Sequence, residues 1–209
     1  MLSKLDKSLI FFDSILRNLH TSKPNIVTPA AKIHNQEPLA PQELQQSIAM
    51  MRINHSGEVC AQALYQGQAL VAKSRIHFLA LLDAAAEETN HLFWCRQRLK
   101  ELNAQPSLLN PFWYTASFAI GACAGIAGDK ISMGFVAETE QQVGAHLALH
   151  LQKISPTDQK SRAILEQMRN DELEHAYNAQ QAGGVELPIV VKFLMRCTAK
   201  VLTFTAARI

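Results

Sequence analysis

The feature that most constrains this chain is a doubled pattern. Glu88-Thr-Asn-His91 and Glu172-Leu-Glu-His175 each set a carboxylate and an imidazole three residues apart. On a helix, residues i and i+3 share a face about one turn apart, so each pair can reach into one small volume. A lone glutamate precedes each pair at nearly the same distance: Glu58 lies 30 residues before Glu88, and Glu140 lies 32 before Glu172. The chain therefore reads as one unit used twice, a helix with Glu followed by a helix with Glu-x-x-His. Four carboxylates and two histidines converging in a four-helix bundle are the ligand set of a dinuclear iron or manganese site. Oxygen and imidazole donors suit those ions, and the set offers no thiolates for an iron–sulfur cluster.

The flanking residues place these groups on inward faces. Leu81, Ala84, Ala85, Glu88, His91, Leu92 and Cys95 form one helical stripe, and Leu165, Met168, Glu172, His175, Ala176 and Ala179 form another. A carboxylate on an apolar face is very costly unless it is paired or bound to metal. Glu138 and Glu140 compete for the third-helix position, and two residues apart they point in nearly opposite directions. Glu140 shares its face with Met133, Val136, Ala137, Val143 and Leu147, so it is taken as the inward one. Glu174 turns away from Glu172 by the same argument and is expected in solvent. His146 has two readings: an ordinary helix histidine beside His150, which is favoured, or a residue at the edge of the site. Asp171 and Glu87 each stand four residues before a site histidine. They are candidates for outer carboxylates that accept the free N–H of a metal-bound imidazole. Asp171 is the better candidate, and Glu87 reads equally well as solvated.

The remaining sequence predicts an all-α, single-domain protein over residues 1–209, with the four-helix core at 41–182. Alanine, leucine and glutamine are abundant and β-branched runs are few. Leu2, Leu5, Leu9, Phe12, Leu16 and Leu19 predict an amphipathic helix over 3–20, which packs on the bundle or touches a membrane. A connector with four prolines follows over 21–41 and is expected to cross the surface. Helices are predicted over 41–73 and 74–102. A third runs over 112–154, with a break foreseen near Gly125–Gly128, and a fourth from Ser155 or Thr157 to Ala182, stopped by Gly183-Gly184. The uncharged stretch Phe112–Gly128 is read as buried packing first and as the wall of an apolar channel second. A last helix over 187–209 is apolar with Lys192, Arg196, Lys200 and Arg208. It is either a membrane-surface element or a packed helix with a solvated basic face.

Asp6 and Asp13 interrupt the apolar part of the first residues, so no signal peptide is expected. No stretch of about 20 uncharged apolar residues predicts a membrane span. A net charge of +2 without basic runs excludes nucleic acid as a partner. Cys60, Cys95, Cys123 and Cys197 are far apart, a usage of free thiols.

Four motifs in order, Asn54-His-Ser-Gly-Glu58, Glu87-Glu-Thr-Asn-His91, Glu138-Thr-Glu140 and Asp171-Glu-Leu-Glu-His175, resemble those of the Coq7 family, the demethoxyubiquinone hydroxylases of ubiquinone biosynthesis. The resemblance covers nearly the whole chain. It implies a ferritin-like bundle with a carboxylate-bridged di-iron site. Glu58, Glu88, His91, Glu140, Glu172 and His175 are then the ligands, and catalytic through the metals, with Glu88 and Glu172 as candidate bridges. The implied reaction is O2-dependent ring hydroxylation of a polyprenylated methoxy-methyl-benzoquinol. NADH is a candidate reductant, although the chain has no Gly-rich dinucleotide motif. In some members a His-Tyr pair follows the third-helix glutamate. Here His146 is followed by Leu147, so the tyrosine's role does not transfer. A substrate with an isoprenoid tail implies a peripheral protein on the cytoplasmic side of the cell membrane. Other ubiquinone-biosynthesis proteins and further copies of the chain are expected partners. The alternative on the same bundle is iron storage or peroxide scavenging. Against it, the chain lacks the C-x-x-C iron domain of rubrerythrins, and its apolar C-terminal helix suits a lipid substrate better than a hollow shell.

Overall fold

The computed structural model describes residues 27–34 and 36–209. The helix expected over 3–20 lies outside the described residues. Six helices carry the fold: α1 (Pro41–Val71), α2 (Arg75–Glu101), α3 (Asn110–Ile126), α4 (Asp129–Lys153), α5 (Gln159–Gln181) and α6 (Ile189–Ala206). Among the described residues there is no strand, as the composition predicts.

Local chemistry sets the helix starts. Pro41 occupies the first turn of α1, where its missing N–H costs nothing, and Glu43 Oε2 accepts from the Ala40 N–H at 2.9 Å. Ser74 caps α2 by accepting from Ile76 N–H. Asp158 caps α5 by accepting from Ser161 N–H at 3.1 Å, and it is itself held by Arg98 Nη2 at 2.8 Å. That buried ion pair locks the end of α2 to the beginning of α5.

Short connections make α1–α2 and α4–α5 antiparallel hairpins, and the two hairpins face each other as a four-helix bundle. Their inner faces form two apolar clusters. One holds Ala61, Tyr65, Leu81, Ala85, Ala137 and Ala179; the other holds Met51, Cys95, Leu99, Leu147, Leu165 and Met168. On every helix the site residues fall between a member of one cluster and a member of the other: Glu58 between Met51 and Ala61, Glu140 between Ala137 and Leu147. The polar residues thus form one layer across the middle of the bundle.

The long third helix is two helices. Gly128 adopts φ +121°, a conformation that disfavours a Cβ, and it separates α3 from α4. Asp129 then accepts the N–H groups of Lys73 and Ser74 at 3.0 and 2.8 Å, pinning α4 to the α1–α2 turn. α3 lies outside the bundle against α1. The crossing is so close that a Cβ on Gly121 would collide with the Leu64 carbonyl oxygen. Gly121→Ala should therefore lower stability by about 2–3 kcal/mol, since backbone must move. In an open helix the same change would gain roughly 0.5–1 kcal/mol. Thermal unfolding reads the sign directly, and an unchanged or raised Tm would mean that α3 does not pack at this distance.

The connector does more than cross the surface. A 3-10 turn at Pro29–Lys32 sinks Ala30 into the second cluster, and Gln36 Oε1 accepts from Lys160 N–H at 3.0 Å. At the other end, α6 buries only Ala206. Ile189, Val190, Phe193, Leu194, Val201 and Phe204 are exposed. Lys192 departs from a simple solvated stripe: its Nζ lies 3.3 Å from Glu138 Oε2 and 3.0 Å from Glu186 Oε1. Between α3, α4 and the beginning of α6 is an apolar cavity of about 550 Å³, lined by Ile120, Ala124, Ile131, Phe135, Leu187 and Val191 among others. Among the described residues no helix is long and apolar enough to cross a membrane.

Candidate metal centre

The bundle brings together all six residues singled out by the doubled pattern. Their donor atoms form two groups, Glu58–Glu88–His91–Glu172 and Glu88–Glu140–Glu172–His175, each with its atoms within 4.8 Å of one another. Glu88 and Glu172 belong to both. The four carboxylates are each 2% exposed or less. His91 Nδ1 stands 3.1 Å from both Glu88 Oε2 and Glu172 Oε1, and 3.6 Å from Glu58 Oε2. His175 Nδ1 stands 3.4 Å from Glu172 Oε2, 3.5 Å from Glu88 Oε1 and 3.9 Å from Glu140 Oε1.

Both outer carboxylates are in use, and they are used crosswise. His91 Nε2 lies 3.1 Å from Asp171 Oδ2, and His175 Nε2 lies 2.8 Å from Glu87 Oε2. Each histidine is therefore held by the carboxylate of the facing helix, because its Nδ1 points in toward its own helix's glutamate and its Nε2 points across. A neutral imidazole that donates from Nε2 presents the Nδ1 lone pair inward.

The donor set fits a pair of first-row divalent ions. Glu88 Oε1, Glu140 Oε2, both oxygens of Glu172 and His175 Nδ1 are buried with no hydrogen-bond partner. Each such atom costs about 1–3 kcal/mol, and here all of them line one volume. Donors held about 2.1 Å from a common first-row ion stand roughly 3 Å apart, which is the spacing found around His91 Nδ1.

Without an ion, the layer holds its charge by retaining protons. Burial pushes the carboxyls of Glu58 and Glu140 well above the ordinary range, and the nearby charges of Glu172 and Glu88 push the same way. Burial acts on Glu88 too, but the neighbouring imidazoles of His175 and His91 outweigh it and lower its pKa. Burial works against the charged imidazoles, yet the surrounding carboxylates prevail. They raise His91 well above its usual value and His175 to about 10.

Tyr65 was not legible as a site residue. It is fully buried, and its Oη donates to Glu140 Oε1, which leaves Oε2 of that carboxylate free to face the centre. The available signal was its position two turns after Glu58 on the same helix face. Trp94 packs on His91 with ring centroids 5.2 Å apart. Glu138 turns away to Lys192 and Gln142, and Glu174 is exposed. His146, six residues past Glu140 and so about a third of a turn off its direction, lies against His150 with centroids 4.0 Å apart.

A family model described as ubiquinone biosynthesis protein COQ7 matches residues 45–206, a span that reaches from near the start of α1 to the last residue of α6. The chain belongs to the COQ7 family. Curated COQ7 relatives are similar over almost their whole length. A 3-demethoxyubiquinol 3-hydroxylase of Acinetobacter baylyi is 51% identical over 204 residues, covering 97% of this chain and 96% of the relative. Those of Nitrosococcus oceani and Legionella pneumophila (strain Corby) are 52% and 50% identical, covering 98% and 96% of this chain and 96% and 95% of theirs. The resemblance carried by the four motifs is borne out, and the COQ7 match includes every residue of the buried layer.

Proposed function

We propose that this chain is a demethoxyubiquinol hydroxylase that works through two iron ions held by Glu58, Glu88, His91, Glu140, Glu172 and His175. One observation carries the metal assignment: two donor groups share Glu88 and Glu172, and the unpartnered oxygens of both residues lie in a fully buried layer. The hydroxylase reading rests on the activity for which relatives about half identical to this chain are named. Overall, a ring C–H, O2, two electrons and two protons give a ring C–OH and water, with NADH proposed as the electron source. Held by these six residues, ferrous iron would supply the redox chemistry that activates O2.

The chain's own residues set the conditions for that chemistry. Glu88 and Glu172, common to both groups, would help to hold both ions. Asp171 and Glu87 hold the Nε2 protons of His91 and His175, so that both Nδ1 atoms face inward. Tyr65 fixes one oxygen of Glu140 by donating to it. The apolar clusters on either side of the layer exclude water.

A quinol with an isoprenoid tail has to be drawn from a bilayer. The exposed apolar side of α6, with Arg196 and Lys200 along the helix and Arg208 just past its end, suits the membrane surface, and the cavity beneath its first turn suits apolar chain. Replacing Phe193 and Phe204 by Ser should weaken sedimentation with anionic vesicles by at least about a hundredfold and leave the Tm unchanged, since two exposed aromatic side chains are each worth roughly 1.5–3 kcal/mol when buried. Unaltered vesicle binding would remove α6 from the membrane contact.

The activity itself is tested by giving the iron-loaded protein a short-chain demethoxyquinol, NADH and ¹⁸O₂. One labelled oxygen on the ring is the expected product. Bound iron without any ring oxidation, in lipid and with several reductants, would overturn the hydroxylase reading in favour of storage or peroxide scavenging.

A further inference from the structure

The two halves of the centre are related by the sequence repeat but are not equally closed. Five of the six site side chains are 3% exposed or less, whereas the His175 side chain is 14% exposed. The outer carboxylates differ in the same sense. Asp171 is 27% exposed and is tied on its second oxygen by Gln167 Nε2 at 2.8 Å, while Glu87 is 59% exposed and has His175 as its partner. Asp83, also exposed, stands one turn before Glu87 on the same face of α2 and adds negative charge outside the same corner. Inside it lie His175 Nδ1 and the unpartnered, buried Glu88 Oε1 and Glu172 Oε2, 3.5 and 3.4 Å from that nitrogen. An anionic side chain in water therefore touches the only partly open imidazole of a buried donor layer.

We infer that metal ions enter the centre at this corner, with Glu87 as the residue that captures them. This rests on the six residues being a metal centre. A divalent ion drawn by Glu87 and Asp83 would compete with His175 for the Glu87 carboxylate. Its binding would release the Nε2 hydrogen bond and let the ring swing to hand the ion to Glu88, Glu140 and Glu172. The half that contains His175 is then the exchangeable half. The half that contains Glu58 and His91, closed over by Asp171, keeps its ion longer.

The test is the rate of uptake of Co2+ by metal-free protein, followed anaerobically by stopped-flow absorbance, in the wild type, Glu87→Gln, Glu87→Asp and Asp171→Asn. Removal of a steering charge should slow uptake by Glu87→Gln about tenfold or more and flatten its dependence on ionic strength, while the final stoichiometry stays unchanged. Glu87→Asp should recover most of the rate, and Asp171→Asn should remain within about twofold of wild type. If Glu87 merely held His175 in place, Glu87→Gln would speed metal loss and leave the uptake rate and its salt dependence unaltered. That result would overturn the inference, as would equal slowing in Asp171→Asn. A wild type that takes up no Co2+ would instead overturn the metal-centre reading beneath it.

Discussion

Glu172→Gln is expected to strip the centre of its metals and lower ring hydroxylation by at least about a hundredfold, while Glu174→Gln changes neither. The two glutamates are neighbours in one short motif, but the helix points them apart. Glu172 is buried with both oxygens unpartnered and stands in both donor groups, whereas Glu174 is exposed. A shared carboxylate leaves both groups short of a donor when it is lost, so iron content should fall toward zero rather than by half. The metal-free Glu172→Gln variant should also be less stable than the metal-free parent at neutral pH. Without an ion Glu172 is a carboxylate partner of the raised imidazoles of His91 and His175, and a neutral isostere takes that partner away. Metal analysis, thermal unfolding and product formation on the same three preparations test these statements together. Equal loss of iron in both variants would show that the register of α5 is wrong.

The second large effect is a stability gap between the metal-free and metal-loaded forms that grows with pH. His175 has its pKa raised to about 10 from 6.5 in the folded chain. Its contribution to stability is complete below the unfolded value and is lost as pH rises through the folded one. His91 is raised as well. Glu58 and Glu140, also raised, carry protons in the folded state that the unfolded chain releases near pH 4.5, so they too make folding less favourable as pH rises. Glu88 and Asp171 are lowered, and their opposing effect is already complete at neutral pH. Metal-free protein should therefore lose stability between about pH 6.5 and pH 10. Metal binding requires deprotonated ligands and expels those protons, so its stabilisation grows over the same range. With free metal at about a thousand times its Kd, the ion adds roughly 4 kcal/mol, which is about 10 °C in a chain of this size. The gap in Tm between the two forms should widen as pH is raised from 6.5. A gap that narrows would mean that the protons are held somewhere other than in this layer.

Most of the bundle was legible because its signals are periodic. The apolar stripes turned six residues toward one buried layer, and two-residue spacing was enough to put Glu140 in that layer and Glu138 outside it. What was not legible depends on contacts between helices. Asp171 and Glu87 were visible as outer carboxylates, but their crosswise pairing requires α2 and α5 to face each other with Nε2 pointing across the gap. Tyr65 was hidden because a tyrosine on an apolar face is ordinary until its hydroxyl is seen to meet Glu140. The break at Gly128 was foreseen only as a region, because a glycine announces freedom and not direction. That α3 leaves the bundle and lies against α1 follows from close approach at Gly67 and Gly121, where Phe118 and Leu64 present backbone oxygens. Ala30 sits in the core although a proline-rich connector carries it, since one small apolar residue has no period to detect.

The most direct test of the central claim is anaerobic titration of metal-free protein with isotopically enriched ferrous iron, followed by Mössbauer spectroscopy before and after a pulse of O2. The six-residue layer predicts two high-spin ferrous ions per chain in oxygen and nitrogen surroundings, oxidised together to a spin-coupled ferric pair. A single iron per chain, or two that oxidise independently as isolated ions, would contradict the assignment of Glu88 and Glu172 as carboxylates shared between two metals.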